Sequence, residues 1–171
     1  MSKSNLKKHL KQLNKADLEK EILKMYDRFK EVKQYYELDL SGDTTKILEE
    51  YKKKMDKEYF PTRGFGKARS SVSRKIITDF KKISIFQKDV IELILHRVEN
   101  MLNFTQSYGD IDEAFYTTME NSYQEACELI CKEKLEEEFQ PFCKELLDGT
   151  SDFGWGLHDT FCDIYGEHFK D

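Results

Sequence analysis

Glycine and proline are scarce, with 8 and 2 among 171 residues. So little turn chemistry excludes an all-β chain of many short strands and predicts long helices. Long apolar runs are missing too, and no stretch approaches the ~18 consecutive apolar residues of a membrane helix. The opening Met1-Ser2-Lys3-Ser4 leads into a lysine-rich segment without the apolar run of a signal peptide, so a cytoplasmic location is expected. Cysteine is sparse and late, at Cys127, Cys131, Cys143 and Cys162. Four thiols in one quarter of the chain are too few to staple it, so reduced cysteines within helices are expected. No Walker A spacing and no strand-borne Rossmann fingerprint occurs. None of His9, His96, His158 and His168 has an acidic residue three positions earlier, which disfavours a helical di-iron site.

Charge is abundant, at 36% of residues, and unevenly placed. Residues 1–88 hold 23 Lys and Arg against 13 Asp and Glu, a net of +10. Residues 89–171 hold 5 against 20, a net of −15. Such a division predicts either a bipolar molecule or two halves that attract each other. A basic half also suits an anionic partner, whether RNA, DNA or an acidic protein.

Apolar periodicity is helical along the chain. Ser4 is expected to cap a first helix with Leu6, Leu10 and Leu13. Asn14 caps a second, whose stripe runs Leu18, Ile22, Met25, Phe29, Val32 and Tyr36. A third carries Ile47, Leu48, Tyr51, Met55 and Tyr59, and a fourth Val72, Ile76, Phe80 and Ile83. The longest apolar element follows Ser84 and reaches Phe104, with Glu92, His96, Glu99 and Asn103 as a narrow exposed strip. Ile111 to Leu129 and Leu135 to Leu146 continue the pattern, with Pro141 expected to kink or restart it. A last helix begins near Trp155, the only tryptophan, which is expected to anchor its loop in the core. The reading is an all-α irregular bundle or α–α array of seven or eight helices around a central apolar helix. Residues 1–40 are expected as a helical hairpin packed on the main domain, 41–171, within one overall domain.

Pro61-Thr62-Arg63-Gly64-Phe65-Gly66-Lys67 is the clearest non-helical segment, with two glycines and a proline inside six residues. It opens a helix and brings Arg63, Lys67, Arg69, Arg74 and Lys75 together, a combination suited to anions. Phe65 is placed to stack on a base. A second constellation is Cys127 with Cys131 and His158 with Cys162, each pair one helical turn apart. Facing each other they would form a Cys3His zinc tetrahedron, although the short CxxC spacing is absent and no cofactor is the first expectation. His158 and Cys162 are also within reach for nucleophilic chemistry, but Asp159 and Asp163 oppose a thiolate.

The first 30 residues resemble the helix–extended–helix modules of the SAP and LEM type, which bind DNA or chromatin proteins. Asn14-Lys15-Ala16 stands where those modules usually carry a glycine. Three stretches, SKSNLKKHLKQLNKADLEKEILKMYDRF, RGFGKARSSVSRKIITDF and FGWGLHDTFCDIYGEHF, resemble an uncharacterised bacterial all-helical family, a domain of unknown function. That resemblance implies an all-α protein and transfers no catalytic residue. The leading functional expectation is a non-enzymatic interaction protein, binding a protein partner or another copy through its basic first half. Nucleic-acid binding through Arg63–Lys75 and the N-terminal helices comes second. A metal protein or enzyme using His158 and Cys162 comes third, and no membrane partner is expected.

Overall fold

Capping chemistry sets the first elements of the chain, whose computed structural model describes residues 2–169. Ser2, rather than Ser4, caps α1 (Lys3–Leu10) by accepting from the Asn5 N–H. Asn14 caps α2 (Lys15–Arg28) and accepts from the Asp17 N–H at 2.9 Å. The apolar stripe then runs on in register, but the helix does not. Phe29 takes an extended backbone, φ −120° and ψ 118°, which ends α2 and starts α3 (Lys30–Ser41). No glycine, proline or capping side chain marks that break, so the periodicity runs straight through it. This split raises the count from the expected seven or eight to nine helices, with no strand, among the described residues. The stripe also buries less than its regularity implies. Neither α1 nor α2 holds a buried residue, whereas α3 buries Gln34 and Leu38.

Gly42, at φ 64°, closes α3 in the left-handed region that favours glycine. The chain divides there into two compact units, residues 1–42 and 43–171. In the second unit α4 (Thr45–Tyr59) buries Ile47, Leu48, Tyr51, Met55 and Tyr59. In α5 (Ser70–Ile83) the buried face is Ser73, Ile77, Phe80 and Ile83, turned by one residue from the face read through Val72 and Ile76. The Ser73 hydroxyl makes that rotation possible, because it takes the Tyr59 phenol at 3.2 Å inside the core.

α6 (Gln87–Tyr108) packs on α4, α5, α7 and α8 and buries Val90, Ile91, Leu93, Ile94, Leu95, Val98 and Met101 completely or nearly so. α7 (Glu113–Glu133) ends at Lys134, whose left-handed backbone (φ 58°) separates it from α8 (Glu136–Asp148). Pro141 sits inside α8 without breaking it. α9 (Leu157–His168) lies on α7 and α8. Its only tryptophan neighbour, Trp155, is not a core anchor: it is 57% exposed and stacks on Tyr116 at 6.2 Å. The backbone at Trp155 is left-handed (φ 62°), which turns the ring outward before α9 begins. No helix among the described residues is long and apolar enough to cross a membrane.

The polar strip of α6 is a solvent face only at its end: Asn103 is exposed as expected, but Glu92, His96 and Glu99 are half-buried. Glu92 takes Lys52 of α4 at 2.6 Å, and the His96 Nε2 meets Asp56 of α4 at the same distance. Asn100 donates to Asp56 at 3.1 Å. Glu99 holds the other imidazole nitrogen at 3.2 Å. Burial acts to lower the His96 pKa, but the hydrogen bonds to Glu99 and Asp56 outweigh it and the net shift is upward. Protonated His96 therefore stabilises the fold fully below its unfolded value of about 6.5, and the contribution fades as pH rises through the higher folded value. Melting temperature followed from about pH 6 to 9 should show this decline. Asp56→Asn combined with Glu99→Gln should flatten it, and equal slopes in both proteins would exclude His96 as its source.

Candidate anion-binding site

The segment 60–69 is pinned to the end of α4 by one residue, Glu58. Its carbonyl accepts from the Lys67 and Ala68 N–H groups at 3.0 and 3.2 Å. Its carboxylate accepts from the Arg69 backbone N–H at 3.0 Å and from Nε and Nη2 at 2.8 and 2.9 Å. The Arg69 guanidinium holds the Glu58 carboxyl below its ordinary range, against the opposing effect of burial. Gly66 completes the anchor, for a Cβ there would lie 1.7 Å from the Tyr59 carbonyl oxygen.

These contacts sort the candidate cations. Arg69 is committed to an internal carboxylate from the same basic half of the chain. Lys75 pairs with Asp79 one turn along α5, at 3.2 Å. Arg63, Lys67 and Arg74 are exposed, and none of them makes a salt bridge to a carboxylate among the described residues. Phe65 is 81% exposed and meets the edge of Tyr108 at 5.9 Å. Tyr108 in turn stacks on Phe60 at 6.3 Å, so the loop carries an aromatic shelf that starts at Phe65, two residues after Arg63 in the sequence. Ion pairs between the basic and acidic halves form elsewhere, at Lys52–Glu92, Lys81–Glu125 and Lys88–Glu138.

One cation of this region was not legible as a site residue. Arg97 lies within the apolar pattern of α6 and is 3% exposed. Its Nη1 donates to the Ser122 hydroxyl at 3.1 Å and its Nη2 to the Ser70 carbonyl at 3.4 Å. Its Nε has no hydrogen-bond partner among the described residues. The signal available was a lone arginine inside a long apolar run, a residue type almost never buried without a reason.

Cys162 and His158 stand together, but the four thiol and histidine candidates form no metal-holding group among the described residues. Cys127 is fully buried, and its contact with Cys143, together with burial, pushes its thiol pKa up. Cys131 donates to the His168 carbonyl at 3.3 Å. The exposed Cys162 lies 3.6 Å from His158 Nε2. On the far side of that ring the Thr150 oxygen is 2.9 Å from Nδ1, while the Thr150 hydroxyl donates to the Leu147 carbonyl at 2.6 Å. Thr150 thus accepts from His158, which places the imidazole proton on Nδ1. Among the described residues no group of three or more His, Cys, Asp or Glu side chains is placed to hold a metal ion.

Residues 1–170 match the model of a family described as a family of unknown function, DUF6155. No curated protein and no solved structure matches the chain.

Proposed function

We propose, for a chain that belongs to this family of unknown function, that it is a recognition protein whose basic loop and helix α5 hold an anionic partner. The supporting observation is the sorting of cations by Glu58 and Asp79. Among the described residues it leaves Arg63, Lys67 and Arg74 exposed and without a salt bridge, although the charge of Lys67 still acts on Glu58. Cations arranged this way steer and hold polyanions through charge alone, and the partner in the first reading is an acidic protein segment. The aromatic shelf favours a second reading, single-stranded nucleic acid, because Phe65 and Tyr108 are exposed aromatic rings in contact with each other, and Phe65 is on the loop that also carries Arg63. No catalytic step is assigned to either reading.

The test uses a labelled polyglutamate peptide and a labelled oligothymidylate. Affinity for the true partner class should fall steeply between about 50 and 200 mM salt. Arg63→Glu with Lys67→Glu should reduce binding at least about tenfold, whereas Phe65→Ala should weaken only the oligothymidylate. Failure of both probes to bind at low salt would overturn the proposal.

A further inference from the structure

We infer that a cleft between α5, α6 and α7 is a binding site for a phosphate group, built around the buried Arg97. The cleft has a volume of about 270 Å³ and is lined by Arg74 and Lys81 of α5, Arg97 of α6, and Asn121, Ser122 and Glu125 of α7. This rests on the reading of α5 as an anion-recognising face, but it uses none of the cations of segment 60–69.

Arg97 carries the argument. A guanidinium has five N–H donors. Here its contacts are a serine hydroxyl and a peptide carbonyl, both neutral, and its buried Nε has no hydrogen-bond partner among the described residues. No carboxylate forms a salt bridge with it among the described residues, although the acidic half of the chain supplies α7 alongside. A buried cation without a directly paired counter-charge is costly, and an anion entering the cleft would supply that pairing. Ser122 holds the guanidinium for that purpose. Its own proton goes to the Thr118 carbonyl at 2.7 Å, so its oxygen is left to accept from Nη1.

The charge of the cleft selects the ligand. Arg74, Lys81 and Arg97 bring three positive charges. Glu125 brings one negative charge and is bound to Lys81. The excess of two matches a phosphate or phosphate monoester dianion, and a single carboxylate would leave it half compensated. Guanidinium pairs are also geometrically suited to phosphate oxygens, and the Asn121 amide adds a neutral donor on the same wall.

The test titrates the full chain with inorganic phosphate and, in parallel, with sodium chloride at equal ionic strength. Melting temperature and calorimetry are the readouts. Phosphate should raise the melting temperature saturably, and chloride should not. Arg74→Gln with Lys81→Gln changes only exposed side chains, so this variant should fold normally and lose at least about tenfold in phosphate affinity. Arg97→Met should melt at or above the wild-type temperature without phosphate, because it removes an uncompensated charge, and should no longer respond to phosphate. Identical responses to the two salts, or unchanged phosphate affinity in the double variant, would overturn the inference. If Arg97→Met does not fold, the double variant decides alone. Polyglutamate and oligothymidylate binding separates the two ideas. Phosphate binding without polyanion binding leaves the cleft and removes the proposed function, and the reverse removes the cleft.

Discussion

Gly66→Ala should destabilise the protein by about 3 kcal/mol, a large fraction of the stability typical of a domain. The reason is contact, not conformational freedom. The added Cβ would lie 1.7 Å from the Tyr59 carbonyl oxygen and 2.5 Å from its carbonyl carbon. Both are backbone atoms at the last turn of α4, so no side-chain rotation relieves the clash. The loop must lift, and the N–H groups of Lys67 and Ala68 then leave the Glu58 carbonyl. The same substitution should therefore weaken polyanion binding, because Arg63 and Lys67 lose their fixed placement. Gly166→Ala is the control, since nothing lies within 4 Å of a Cβ there and the position is inside α9. It should be neutral or stabilising by up to about 1 kcal/mol. Urea unfolding of the two variants measures both effects, and a Gly66→Ala protein as stable as wild type would show that the loop is not anchored at Tyr59.

The second large effect is expected at Phe161→Ala, about 3–5 kcal/mol. Phe161 and Tyr123 are both fully buried and lie face to face, with centroids 4.1 Å apart and planes at 11°. Tyr123 also donates to the Cys143 carbonyl at 2.9 Å, so one pair of rings joins α7, α8 and α9. Truncating the ring on α9 removes the stack and leaves a cavity that the two rigid helices beside it cannot close. Denaturant unfolding should show the loss as a lower midpoint. A loss below about 1 kcal/mol would mean that α9 is held elsewhere.

The helices of the second unit were legible because their apolar spacing is regular and Asp43 to Tyr59 or Gln87 to Gly109 is bounded by polar or glycine signals. What was not legible shares one physical cause, a tertiary partner invisible in local pattern. Phe29 breaks a helix with no breaker residue. Ser73 turns the face of α5 because Tyr59 supplies a hydroxyl for it to meet. Glu92 and His96 of α6 looked solvated, but α4 brings Lys52 and Asp56 against them. Among the candidate cations, the sequence placed five together, and only the carboxylates of Glu58 and Asp79 decided which of them remained available. Arg97 was hidden by its apolar neighbours, which are what make it informative once its missing partner is seen.

The ion pairs that join the two halves of the chain also act before there is a fold. Lys52–Glu92, Lys81–Glu125 and Lys88–Glu138 connect residues 40 or more positions apart. They are the folded remnant of a broader attraction between a block of +10 and a block of −15. In the unfolded chain these blocks draw together at low salt, which shortens the search for the long-range contacts of α6 with its neighbours. Salt screens that attraction, so ionic strength sets the dimensions of the denatured ensemble as well as the affinity of the folded surface. The charge division is thus a property of the polymer first and of the binding face second.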